Sequence, residues 1–342
     1  SEVTQPFEKA RVLGLNVRAG KKALRSTAST AALSFFQTAL CFLPPNSWES
    51  DYPLTLDVYT GAVGAAFFCG DFALMNTYSG VVLEQAKTEL DKVPVFTAKH
   101  DVCVSQARNL DGIMTVLPVL RQLGVCFPDS PTGDDIQTAL GQTAARLAQR
   151  PIEALLDLPL MTDPQKIAAL KILVSISSSS YQSFPALFPL VVLKQVEISL
   201  DYGNCEWSAF GYTTYAMVLS GLMQDFDAAY QLGQMAIDLA QRLQAKKIYG
   251  RILFLFNNNI RHHKVALKET LADLTESTAL TMDLGDPEYS CLASLSYLQH
   301  AFFVGQPLGK VQAEMAFSAG VMQGVKQEIA LKFTHIYQQT VL

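Results

Sequence analysis

Apolar side chains recur every three or four positions along most of this chain, the spacing of one face of an α-helix. No run alternates apolar and polar residues as a half-buried strand would. Short Gly, Asp, Asn and Pro breaks cut the helical stretches. Three helix starts carry an aspartate just ahead of a proline: Asp51 before Tyr52-Pro53, Asp163-Pro164 and Asp286-Pro287. There the carboxylate caps the first turn, and the missing proline N–H costs nothing. The pattern predicts paired helices over 7–25 and 27–43, 52–69 and 72–91, and 94–108 and 111–123. Further helices are expected at 135–148, 151–158, 164–178, 184–202, 207–223, 226–244, 246–260, 264–284, 287–304, 307–323 and 325–341. The longest expected loop is 124–135, with Pro128, Pro131 and Gly133. Ser175, Ser177, Ser178, Ser179, Ser180 and Ser183 read as a turn leading to Tyr181 and Pro185.

Two helices per period of about 34–40 residues is the tetratricopeptide pattern. That motif needs a small residue where paired helices nearly touch, an Ala-x3-Phe pair on the second helix, and a closing proline. Gly20, Ala32, Phe36, Ala39 and Pro44 supply these at the required spacing. Gly70 and Phe72 repeat the turn, although Met75 replaces the small residue. Phe226, Ala229, Gly233, Ala236 and Ala240 repeat the small-residue pattern, with Trp207 out of phase, and Gly305 with Leu308 marks another turn. At 342 residues the chain exceeds the size at which a single core stops growing, so stacked repeats are the natural solution. The expected fold is all-α, a right-handed superhelix (α-solenoid) of roughly eight such hairpins. It is read as one solenoid over 1–342, with the 124–135 loop as the place where it would divide into 1–123 and 136–342.

Apolar residues make up 49% of the chain and charged ones 17%, which excludes disorder. A net charge of −5 lacks the basic footprint of a nucleic-acid binder. The mean hydropathy of +0.19 raises the question of a membrane span. Yet the longest apolar stretch, Phe184 to Leu193, contains Pro185 and Pro189 and stops at Lys194, short of the roughly 20 residues required. Glu2, Glu8 and Lys9 flank no apolar leader segment. Cys41, Cys69, Cys103, Cys126, Cys205 and Cys291 form no Cys-x-x-Cys pair and read as small buried hydrophobes in a reducing compartment. Without an Asn-x-Ser/Thr acceptor, the expected location is cytoplasmic. Both ends read as cut points in a longer polypeptide.

Candidate chemistry is sparse. Gly20-Lys21 resembles the end of a phosphate-binding loop, but Leu15 stands where the first glycine belongs and Lys22 where a hydroxyl residue would hold magnesium. No catalytic residue, cofactor site or metal site is expected. Asn257, Asn258, Asn259, Arg261 and His262, followed by His263, form the most polar cluster. It reads as a solvated turn, with a ligand-binding groove as the alternative; adjacent histidines are expected to point to different faces. The first helix is basic, and Arg11, Arg18, Lys22 and Arg25 share one face by helical spacing. That face is either solvated or a docking surface.

Several stretches carry a resemblance. Arg18-Ala19-Gly20-Lys21-Lys22-Ala23, Trp48-Glu49-Ser50, Leu123-Gly124-Val125 with Pro128, and Leu187-Phe188-Pro189-Leu190 through Ser199-Leu200 are among them. Tyr202-Gly203-Asn204, Gly285-Asp286-Pro287-Glu288 and Phe302-Phe303-Val304-Gly305 complete the set. Together they resemble the helical region of large bacterial multidomain signalling kinases. In that family a serine/threonine kinase domain and an AAA-type, STAND-like ATPase precede a tetratricopeptide-like region, and a GAF domain and a histidine kinase follow. Asn259-Ile260-Arg261 departs from it, since the family more often has an aromatic residue before the arginine. The resemblance implies a non-catalytic scaffold whose partners are the ATPase and kinase modules of the same polypeptide. A small-ligand sensor of the STAND type is the alternative, and an enzyme the third reading.

Overall fold

In the computed structural model, which describes residues 5–26 and 28–341, side-chain caps set several helix starts. In chain order the helices are α1 (Pro6–Arg25), α2 (Ser29–Phe42), the single turn α3 (Ser47–Ser50), α4 (Tyr52–Phe68), α5 (Phe72–Gln85) and α6 (Glu89–Ser105). Next come α7 (Asn109–Gln122), α8 (Gly133–Leu147), α9 (Pro164–Ser183), α10 (Phe188–Tyr202), α11 (Ser208–Val218) and α12 (Phe226–Arg242). The remainder are α13 (Lys246–Asn259), α14 (Leu271–Asp283), α15 (Pro287–Phe303), α16 (Leu308–Gly324) and α17 (Glu328–Val341). Carboxylates of Asp51, Asp71, Asp225 and Asp286 each accept the N–H three residues on. Thr88 with Asp91, and Thr132 with Asp135, form reciprocal capping boxes. Among the described residues the only extended pairing is one parallel bridge, Leu160 to Asn204. The fold is therefore of the expected all-α, helical-repeat class.

Packing divides the chain into two units. One runs to Asp129 and takes in Pro164–Phe188; the other comprises Ser130–Asp163 and the residues from Pro189 onward. In the first unit Ala32, Phe36 and Ala39 are fully buried, as the repeat phase requires. The Phe36 ring lies against backbone on two sides: a Cβ added at Gly20 would sit 2.9 Å from it, and one at Gly61 2.3 Å. Met75, the departure from the motif, is buried among Val63, Ala66 and Val82 rather than displaced.

The second unit repeats the device. Ala229, Ala236 and Ala240 are buried, and a Cβ at Gly233 would lie 2.4 Å from the Phe256 ring. At its other end Gly203 has φ +93°, and its α-carbon faces the Pro159 carbonyl so closely that a Cβ would sit 2.1 Å from the oxygen. Asn204 follows in a buried knot. Its N–H donates to Pro159 O at 2.8 Å, and its carbonyl accepts from Met161 N–H at 2.8 Å. Its side chain donates to Leu155 O at 2.7 Å and accepts the Tyr212 hydroxyl at 3.1 Å. The Tyr202-Gly203-Asn204 stretch thus serves packing.

Several expected boundaries are corrected. The serine-rich stretch is helical: α9 runs on to Ser183, with Ser177, Ser179 and Ser180 buried. Ser177 and Ser179 hydroxyls bond back to Leu173 O and Ile176 O, which lets small polar residues fit a packed helix face, while the buried Ser180 hydroxyl has no hydrogen-bond partner among the described residues. Helix α5 stops at Gln85 because the Thr88–Asp91 capping box starts α6 early, leaving Pro94 inside it. The second capping box starts α8 at Gly133 and shortens the expected 124–135 loop. Residues 151–158 hold a 3-10 turn, Ile152–Asp157, rather than an α-helix. The helix expected from 264 begins at Leu271, after 3-10 turns at Arg261–His263 and Leu267–Thr270. Helix α11 passes into a wider turn, Leu219–Met223, closed by Gln224 at φ 54°. Of the six free cysteines, Cys103, Cys205 and Cys291 are buried as expected, Cys69 is half-buried, and Cys41 and Cys126 are exposed.

Candidate functional site

Helix α1 buries Leu13 and Val17 and turns Arg11, Arg18, Lys22 and Arg25 to solvent. Its other lysine at the crossing, Lys21, pairs with Asp57 of α4 at 2.6 Å. None of the four exposed cations is in an ion pair with a described residue. The structure therefore keeps the basic face that helical spacing predicts, and Phe7 and Leu15 are exposed on the same helix.

The polar cluster around residue 260 is different in kind. Asn257 is fully buried; its amide donates to Leu253 O at 2.9 Å and to Asp273 Oδ2 at 3.2 Å. Arg261 clasps both partners, with Nη1 3.1 Å from Asn257 Oδ1 and 2.6 Å from Asp273 Oδ2. Asn259 donates to Leu255 O, Asn258 to Asn259 Oδ1, and the Asn259 carbonyl accepts the Ser220 hydroxyl. These residues satisfy one another and pin the turn between α13 and α14. Only His262 and His263 approach a ligand-like arrangement, and there the expectation of opposite faces fails. The tight 3-10 turn sets their rings 4.0 Å apart, with His263 stacked 4.2 Å from Phe226. His300 lies 6.1 Å from His262 and meets the Thr270 hydroxyl at 2.6 Å. Burial, then the neighbouring His262, pushes His300 down to about 4. Burial and His263 likewise lower His262.

One cavity was not read from the sequence. It is a groove of about 730 Å³ whose walls are α14, α15 and α16. Ala279, Ser290, Ser294, Ala313 and Ser318 leave the space, and Met282, Leu298, Phe317, Val321 and Met322 make it apolar. Ser294 donates to Ser318 across it at 3.1 Å, and the Tyr297 hydroxyl to Glu314 at 3.4 Å. Asp283 and Glu314 also line it; Lys310 stands 3.7 Å from Glu314. Cys291 is buried at its floor, and that burial lifts the thiol to about 11, so it is a packing group there. A smaller cavity of about 90 Å³ lies in the first unit beside Arg121 and Phe184. Three consecutive helices supply the groove, and small residues on each were its only signal.

With this geometry in view, the chain can be compared with known proteins. It is similar to the hybrid signal transduction histidine kinase G of Dictyostelium discoideum, at 22% identity over 329 residues. The match covers 88% of this chain. The similarity is to a signalling protein. This chain spans only 10% of that relative's length. Among solved structures it is similar to a Rap protein complexed with competence and sporulation factor, at 11% identity and a TM-score of 0.33, over 96% of this chain and 97% of that one. No protein-family model matches the chain. No helix among the described residues is long and apolar enough to cross a membrane.

Proposed function

We propose that this chain is a non-catalytic, protein-binding helical module of a larger, cytoplasmic signal-transduction protein that also carries ATPase and kinase modules. The match of nearly its whole length to one tenth of a signal transduction histidine kinase carries the reading. A stack of helical hairpins suits that role, because each hairpin shows one face to its neighbours and another to partners. In the bacterial kinases that the sequence resembles, an ATPase domain lies just upstream. The exposed face of Arg11, Arg18, Lys22 and Arg25 fits an acidic patch on such a module, and a contact of this kind steers association in a salt-dependent way.

The groove gives the sensor reading its one support, since its volume falls in the range of small-ligand sites. Its hydroxyls are already bonded within the protein, which favours an apolar partner surface. The test is affinity capture with this chain against separately expressed modules of its parent protein. Retention of the ATPase or kinase module at low salt supports the scaffold. Capture of neither, together with a thermal shift from a small molecule, moves the reading to a sensor. ATP turnover by the purified chain, lost on a point substitution within it, refutes the non-catalytic part.

A further inference from the structure

The groove between α14 and α16 is apolar, and acids are the only charged residues that line it. Phe317 is 75% exposed and Met282 36%, both on its walls. A pair of large apolar groups so placed is a contact surface in search of a cover. The charged residues lining it are Asp283 and Glu314, and no lysine or arginine does. Glu276, exposed on α14, adds a further carboxylate on the same helix. Glu314 is shared with Lys310 and Tyr297, while Asp286, nearby in sequence, is tied to Arg251 and stays out of the count.

We infer that this groove receives a basic amphipathic helix, which sets apolar side chains against Met282, Leu298 and Phe317 and lysines or arginines over Asp283 and Glu314. The inference rests on the reading of the chain as a protein-binding module and names the partner's chemistry. Small residues at 279, 290, 294, 313 and 318 leave room for side chains spaced i and i+4, the way an amphipathic helix enters a groove. An acidic helix would meet repulsion at the same rim, so the charge pattern selects as well as attracts.

The probe is a fluorescent Leu/Lys amphipathic peptide of roughly 16 residues, about 24 Å when helical. A Leu/Glu peptide of the same apolar pattern is the control. Anisotropy titration should show binding of the Leu/Lys peptide that weakens as salt rises from about 50 mM to about 500 mM, and much weaker binding of the Leu/Glu peptide. Ala279→Trp, which fills the groove from an exposed position, and Phe317→Ser should each lower affinity about tenfold. The double variant Asp283→Lys with Glu314→Lys should reverse the preference between the two peptides. All four substitutions lie at the surface or half-buried, and circular dichroism checks that each variant is folded. Equal binding of both peptides, or binding that neither Ala279→Trp nor Phe317→Ser disturbs, overturns the inference. The titration contains no parent module. A chain that captures its parent's modules but ignores the Leu/Lys peptide loses the groove assignment alone. One that takes the peptide through the groove but captures no module loses the scaffold reading alone.

Discussion

The ring of Phe36 lies against the α-carbon of Gly61, so closely that a Cβ there would stand 2.3 Å from Cε1. Gly20 meets the other side of the same ring. Two helices can approach a third this closely only because neither carries a side chain at the crossing. Gly61→Ala should therefore destabilise the first unit by about 1–3 kcal/mol through overpacking. Phe36→Ala should cost about 3–5 kcal/mol through the cavity it leaves, and Ala32→Leu about 1–3 kcal/mol. Urea titrations followed by circular dichroism measure all three. Variants that unfold with the parent would show that these contacts are not what holds the hairpins together.

The Asn204 knot predicts a different loss. Asn204→Ala removes the amide that bonds Leu155 O and the carbonyl that accepts Tyr212, leaving buried groups unpaired. Each orphan costs about 1–3 kcal/mol. Tyr212→Phe removes one of the same bonds together with its donor, so it should be milder. If the two variants melt alike, the bond to Leu155 O contributes nothing measurable.

Much of this was open to sequence reasoning. The Gly20–Phe36 phase, the Asp51 and Asp286 caps and the basic face of α1 all follow from spacing within one or two helices. What stayed hidden depends on how helices pack, which spacing within one helix does not reveal. The serines of α9 looked like a turn because their hydroxyls favour turns in isolation. In the folded chain Ser175, Ser177 and Ser179 bond back to their own helix, and the small size of these serines lets neighbours close on them. The Asn257–Arg261 cluster looked solvated because nothing local announces Asp273 as its counter-ion. A groove made of missing side chains on α14, α15 and α16 leaves no motif at all.

Acid should weaken the second unit. His300 is held near 4, below the usual histidine value, so the unfolded chain takes up the proton first as pH falls. The sign follows: its neutral form is fully compatible with the fold above about pH 6.5, and stability declines as pH drops from there toward 4. His262, lowered in the same direction, adds to the slope. His300→Gln keeps a hydrogen-bonding group for Thr270 and removes the titration. Its melting temperature should fall less than the parent's between pH 7 and pH 4.5. A parent curve that parallels the variant's would exclude His300 as a source of acid sensitivity.

The basic face of α1 makes its own prediction. If an ATPase module lies upstream as proposed, Arg18→Glu with Lys22→Glu should weaken its capture at low salt, with little effect at high salt and none on helical content. Unchanged binding at low salt would leave the face as a solvated surface and the scaffold without a location.

The bridge between Leu160 and Asn204 also bears on how such a chain responds to force. Most contacts in stacked hairpins join consecutive helices, so a pull on one end peels them off in sequence, each yielding on its own. Asn204 reaches back 49 residues to Leu155 and binds Pro159 and Met161 on the way. That stitch must shear before the loop it encloses can lengthen. Under tension the chain between the stitched ends, which carries α9 and α10, is thus held as a closed loop while hairpins outside it unravel, and the pull meets a built-in stop there.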